Sequence, residues 1–175
     1  CRLQDWQPKP GAYDLSWATH ALYCVPAEEM NECISIVKSG MGANGIGIVA
    51  QSNRSGHYIR FYEHFLDSIH GGNGTRFSAA EDVDKAAENV GFQRQSRTLN
   101  YETVIDENDR QALESYLQRC AFDDSISLDQ MLDSGSLGQY LASTKKQGAY
   151  RFQQSVDVIV FGNDLSMFNF WMQDE

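Results

Sequence analysis

Apolar positions along this chain change their period several times, and each change marks an element. Residues 13–18 form a β-favouring, largely apolar run that predicts a strand, with residues 19–25 as its carboxyl end and the turn beyond. Pro26 suits the first position of a helix, and Glu28 and Glu29 favour the positive end of its dipole. Met30, Cys33, Ile34 and Val37 then recur at i, i+3, i+4 and i+7, which predicts one buried helical stripe that stops near Gly40. Ile46, Ile48 and Val49 lie between glycines in GIGIVAQ. That run is too short for a helix and predicts a strand covered on both faces. Strand, helix and strand at this spacing make a βαβ unit.

Helical spacing returns in HYIRFYEHF, where Tyr58, Phe61, Tyr62 and Phe65 share a stripe that either faces the core or lines a pocket. HGGNGT (residues 70–75) lacks the Lys-Ser/Thr ending of a phosphate loop and predicts a mobile connection. Ser78 with Glu81 fits a capping box ahead of a helix whose stripe is Val83, Ala86, Ala87 and Val90, closed by Gly91. Residues 92–105 mix β-branched and polar types, as an edge strand does. Asp106 is placed to cap a helix carrying Ala112, Leu113, Tyr116, Leu117 and Cys120, and residues 125–143 predict one or two more short helices. Residues 106–145 thus form a helical insertion between late strands. The last strand is residues 150–162, with Val156, Val158, Ile159, Val160 and Phe161 suited to a sheet interior. The aromatic residues 165–171 either pack on the domain or meet a partner; packing is the expectation, because a free apolar tail would be a sticky patch. The expected architecture is α/β, one partial domain over residues 1–175.

Composition narrows the class. A formal charge of −10, with no basic stretch interleaved with aromatics, argues against nucleic acid and against an anionic membrane surface. No apolar run approaches the roughly 20 residues of a membrane span, so a soluble, cytoplasmic protein is expected. Cys1, Cys24, Cys33 and Cys120 are far apart and show no Cys-x-x-Cys pair, which predicts reduced thiols. His20 and Cys24 could share a helical face, but two ligands do not make a metal site, and none is expected. Asn53-Arg54-Ser55 and Asn73-Gly74-Thr75 fit the glycosylation triplet by chance. The absence of an initiating methionine suggests a fragment whose N-terminal portion is missing.

In an open doubly wound sheet, ligands sit outside the carboxyl ends of the strands. Asp5-Trp6 and residues 19–23 are expected at that rim. A carboxylate can accept from the exocyclic amine of adenine while an indole covers the ring, although Asp5 also fits an ordinary loop or cap residue. The order Asp-Trp, Pro/Gly turn, Tyr-Asp-Leu strand, polar rim, capped helix and Gly-flanked strand resembles the second half of class I S-adenosylmethionine-dependent methyltransferases. YDLSWATHALYCV, LESYLQRCAF and RFQQSVDVIV are similar to segments of the histamine N-methyltransferase-like family, and the likeness covers nearly the whole chain.

That resemblance implies a Rossmann-like sheet, the C-terminal part of the fold, with the N-terminal strands and the glycine-rich loop absent. For the parent protein it implies S-adenosylmethionine as cofactor and a small-molecule acceptor, an amine above all; the fragment alone is expected to lack half of the cofactor site and to be inactive. It assigns Asp5, Trp6, Thr19 and His20 to the cofactor, and Tyr23, Cys24, Phe61 and Gln154 to the acceptor, with His20 and Tyr23 catalytic. His20 is either a proton acceptor or a helix-start histidine bonded to backbone. His20, Cys24 and Gln154 depart from the family pattern, which sets histamine itself aside as the expected acceptor. The competing expectation is a non-catalytic binding or scaffold module on the same fold. In the class I order the strand at Tyr13 would be left as an unpaired apolar edge, so association between copies is expected.

Overall fold

A computed structural model describes residues 2–166. One five-stranded sheet runs β1-β2-β5-β3, with a two-residue strand β4 paired to β5. The strands are β1 (Tyr13–Thr19), β2 (Met41–Ser52), β3 (Gln93–Asp106), β4 (Lys145–Lys146) and β5 (Ala149–Gly162). The helices are α1 (Met30–Gly40), α2 (His57–Ile69), α3 (Ala80–Asn89), α4 (Arg110–Ala121), α5 (Leu128–Asp133) and α6 (Gly135–Thr144). The described residues divide into two compact units: residues 2–51, 78–98 and 156–166 form one, and residues 52–77 and 99–155 the other.

The first unit holds the βαβ motif. β1 and β2 are parallel, and α1 between them buries Met30, Cys33, Ile34 and Val37, the stripe expected from spacing. A 3-10 turn (Ala27–Glu29) follows Pro26 and leads into the helix. α1 and α3 share a largely aliphatic core with Val49, Ile159 and Phe161. Gly47 belongs to that packing, because a Cβ there would run into the Phe161 ring. Among the described residues, the β1–β2 pair is covered on one face in this way. Register pairs Leu15 with Ile46 and Trp17 with Ile48, and paired residues share a face, so these four line the opposite face. Leu15 is 51% and Trp17 65% exposed, and Ile46 and Ile48 are half-buried. The expectation that the second strand is covered on both faces is therefore corrected. Its glycines and isoleucines do not distinguish a two-sided strand from a one-sided one.

Two caps differ from the sequence expectation. α3 begins one residue after Ala79, whose N–H donates to Asp82 Oδ2 at 2.8 Å, while Ser78 Oγ donates instead to the Val25 carbonyl at 2.6 Å. At α4 the cap is Asp109, which accepts from Ala112 N–H at 3.0 Å, because β3 continues through Asp106. Asp106 turns the chain by accepting from Asn108 N–H at 2.8 Å.

The second unit is mainly helical. α2, α4, α5 and α6 enclose a core of Phe61, Phe65, Leu113, Leu117, Met131, Leu137, Leu141 and Phe152. Gly56 precedes α2, where a Cβ would strike Ser52 Oγ and the Ser155 backbone. Asn53 Nδ2 donates to Ser155 Oγ at 2.9 Å, so this asparagine serves the fold. β4 and β5 form a hairpin around Gln147 and Gly148, both at positive φ (53° and 77°), as a tight turn between twisted strands requires. Leu165 is 3% exposed; the rest of the aromatic tail, from residue 167, lies outside the described residues, as does Cys1.

Candidate functional site

In the first unit the chain leaves β1 at its carboxyl end with a sharp turn. His20 has φ of 50°, a left-handed conformation uncommon for a side chain of this size, and its N–H still donates to Ala50 C=O at 2.8 Å. The turn that follows is tied from two sides. Gln51, fully buried, accepts from Leu22 N–H at 3.3 Å and donates to Ser78 C=O at 2.8 Å. Ser78 N–H donates to Tyr23 C=O at 3.0 Å. Within this frame the His20 ring stacks on the Tyr23 ring, and His20 Nδ1 lies 2.6 Å from Tyr23 Oη. Partial burial against that ring holds the imidazole below its ordinary pKa. His20 is thus neutral at physiological pH, with one nitrogen committed to Tyr23.

Thr19 is exposed and its Oγ1 accepts from Trp17 Nε1 at 2.7 Å. Cys24 is exposed and reduced. Asp5 ends a short 3-10 turn (Leu3–Asp5) with its carboxylate in solvent. Trp6 is half-buried: it packs on the aliphatic core and its ring lies 5.5 Å from that of Tyr13. The structure brings His20 and Tyr23 together; Trp6 makes its contacts with the core and Tyr13.

In the second unit Phe61 and Gln154 meet a cluster that spacing alone did not reveal. His57, the first residue of α2, is 1% exposed, and its ring lies among those of Phe61 (5.5 Å), Tyr116 (5.7 Å), Tyr140 (5.7 Å) and Phe152 (4.2 Å). Its Nδ1 is 2.7 Å from Tyr140 Oη. Among the described residues, His57 Nε2 is the buried side-chain polar atom that has no hydrogen-bond partner. Burial, with the nearby Arg60 charge as a lesser cause, lowers its pKa from 6.5 to about 3, so the ring is neutral. Gln154 Nε2 donates to Tyr116 Oη at 2.9 Å. Burial raises the Tyr116 phenol above its ordinary range, and pushes the Tyr140 phenol and the Cys120 thiol each up to about 12. All three stay protonated, so the cluster presents neutral donors and acceptors between aromatic faces.

The signal for His57 was present in the sequence. It precedes Phe61 and Phe65 at i, i+4 and i+8, so a histidine occupies the apolar stripe, and a polar side chain in that register must be paired or wet. Gln51 and Ser78 gave no such signal, because their partners lie 27 residues apart in sequence.

Solved structures share this architecture. A candidate methyltransferase of Bacillus halodurans aligns over 93% of this chain and 69% of its own, with a TM-score of 0.59 and 10% identity. The YcgJ protein of Bacillus subtilis aligns over 91% of this chain and 67% of its own (TM-score 0.56, 10% identity). The fold is the methyltransferase fold. A candidate sarcosine dimethylglycine methyltransferase of Galdieria sulphuraria adds a third example, with this chain covering 58% of its length (TM-score 0.51, 10% identity). No protein-family model and no curated protein matches the sequence. Within the methyltransferase fold, the rim of the first unit carries the His20–Tyr23 pair, and the second unit carries the His57 cluster. No group of three or more metal-ligating side chains occurs among the described residues, and no described helix is long and apolar enough to cross a membrane.

Proposed function

We propose that this protein transfers a methyl group from S-adenosylmethionine to a small molecule, at an amine nitrogen, and that it does so in the manner of the histamine N-methyltransferase-like family. The observation that carries the reading is His57 Nε2: a buried, unpartnered polar atom walled by aromatic rings is costly unless a ligand or water completes it. An amine answers that requirement. It can accept from or donate to a neutral imidazole, and its alkyl or cationic portion gains about 0.5 to 2 kcal/mol from each aromatic face that it meets. Phe61 and Gln154 belong to the same cluster, Phe61 as a wall and Gln154 as the group that orients the Tyr116 hydroxyl.

Bound S-adenosylmethionine supplies an electrophilic methyl on a sulfonium, and the departing thioether is neutral. Asp5 and Thr19 are exposed polar groups, and Trp6 keeps part of its ring open, so the three fit the adenosine end of such a cofactor by donor and acceptor type. An ammonium substrate must lose one proton before its lone pair can attack the methyl carbon, and the methylated product leaves as an ammonium, so one proton in all is released. His20, held below its ordinary pKa and fixed through Nδ1 on Tyr23, is the candidate proton acceptor on the rim of the first unit. Cys24, exposed at the end of the same turn, is an acceptor contact in this scheme. We also assign the protein to the cytoplasm, with small molecules as its partners.

The test is calorimetric titration with S-adenosylmethionine, followed by methyl transfer to a panel of primary and secondary amines. Micromolar cofactor binding, weakened in Asp5→Ala, and an amine KM raised in His57→Phe are the expected results. No binding together with no transfer to any amine overturns the enzyme and favours a non-catalytic binding module on the same fold.

A further inference from the structure

His57 opens α2, where the positive end of the helix dipole opposes a second ring proton, so its ring has two neutral forms to choose between. The partner on Nδ1 decides which form is present and therefore what Nε2 can offer. That partner is Tyr140 Oη, 2.7 Å away. If Nδ1 carried the proton it would donate to the phenol, and the Tyr140 O–H would be left with no other hydrogen-bond partner among the described residues. Nε2 would then be an orphaned lone pair, so two groups would go unpaired. If Tyr140 donates to Nδ1, the phenol proton and the ring lone pair satisfy each other, and Nε2–H alone is open. The Arg60 guanidinium, 5.3 Å from the centre of the Tyr140 ring, favours the second arrangement, because a nearby cation makes the phenol a better donor. The other phenol beside His57 is already engaged: the Tyr116 hydroxyl is bonded to Gln154 Nε2 at 2.9 Å and to the Cys120 thiol.

We infer that Tyr140 fixes His57 as the Nε2–H tautomer, and that the site takes an amine carrying a second, neutral acceptor, a pyridine-type nitrogen or a carbonyl oxygen, which receives the Nε2–H bond. The inference rests on the amine reading above and narrows it. An ammonium has no lone pair and cannot receive that bond. A free amine can, but its lone pair would then be engaged at His57 and unable to attack the methyl carbon. The transferring nitrogen and the recognised atom are therefore different atoms of one substrate. Tyr140 is a positioning residue in this scheme, since it acts on the substrate through His57.

The experiment reads the tautomer first, without cofactor or turnover, so its outcome is independent of methyl transfer. Long-range ¹H–¹⁵N correlation at pH 7 is expected to show His57 Nε2 protonated and Nδ1 unprotonated. Calorimetry then compares the three aminomethylpyridine isomers and an aminomethylacetophenone with benzylamine, which carries the same amine on a ring without the second acceptor. At least one acceptor-bearing amine is expected to bind about 3- to 10-fold tighter than benzylamine, the worth of one added hydrogen bond, and to move the Nε2 proton signal downfield. The pyridines and the ketone separate the two acceptor types. In Tyr140→Phe, which keeps the ring and removes the donor, that advantage is expected to shrink to about twofold or less and the imidazole to become a mixture of tautomers. The comparison in the unaltered protein decides the matter if this variant folds poorly. A His57 ring protonated on Nδ1 overturns the inference, and so does benzylamine binding as tightly as every acceptor-bearing amine. An Nε2–H ring that binds none of these amines overturns both this inference and the amine reading. The expected preference without methyl transfer to any of them overturns the enzyme and leaves the recognition standing.

Discussion

The two units solve the same packing problem with different materials. The first buries aliphatic side chains between α1, α3 and one sheet face, and its buried polar groups, Gln51 and Ser78, are fully occupied in tying backbone. The second buries aromatic rings around a histidine that keeps one nitrogen unpartnered. A core optimised for stability alone has no use for such an atom. That open nitrogen, set against the first unit's fully paired polar groups, is the contrast on which the proposed function rests.

If the contrast is sound, perturbing the aromatic cluster has the larger effects. Phe152→Ala removes the ring nearest His57 and is expected to destabilise by about 3 to 5 kcal/mol in chemical denaturation, the range for a buried phenylalanine. A loss under 1 kcal/mol would show a loosely packed cluster and break the contrast. Acid is the next strongest perturbation. The folded pKa of His57, about 3, lies below the unfolded value of 6.5, so as pH falls the unfolded chain takes up the proton first. The stability associated with the neutral ring is complete above pH 6.5 and is lost progressively toward pH 3, by about 2 kcal/mol at pH 5. Denaturation at a series of pH values checks this, and His57→Phe is expected to flatten the slope over that window.

Smaller effects belong to the frame. Gln51→Ala leaves Leu22 N–H and Ser78 C=O without their partner and is expected to cost about 1 to 3 kcal/mol. It is also expected to release the turn that holds Tyr23, visible as faster amide exchange at Leu22. Tyr23→Phe removes only the hydroxyl bonded to His20 and is expected to change stability by about 0.5 to 1.5 kcal/mol. Its larger consequence is a change in the His20 imidazole signal in NMR, since Nδ1 loses its partner.

Periodicity made much of this legible. The stripe of α1, the breaks at Gly40 and Gly91, and the closing strand all follow from spacing and from residues whose conformational preference is strong. Local chemistry was less reliable where two residues could each serve. Asp106 and Asp109 both suit an N-cap, and the length of β3 decides between them. Ser78 fits a capping box, but its hydroxyl is taken by Val25, distant in sequence. A short apolar run such as that of β2 carries no record of how many helices lie above it, so one-sided and two-sided coverage read alike. At the site, His20 and Tyr23 are three residues apart and lie on one tight turn, so their pairing is local. The link from Phe61 to Gln154 passes through His57 and Tyr116, and only tertiary structure brings those four together.

The most direct measurement follows the ¹⁵N imidazole signals of His57 during titration with small amines. The account predicts a neutral ring in one tautomer at pH 7, unresponsive to acid until well below pH 5, with an Nε2 signal that moves saturably as an amine binds. A ring that titrates near 6.5, or an Nε2 signal unmoved by every amine at millimolar concentration, would contradict it.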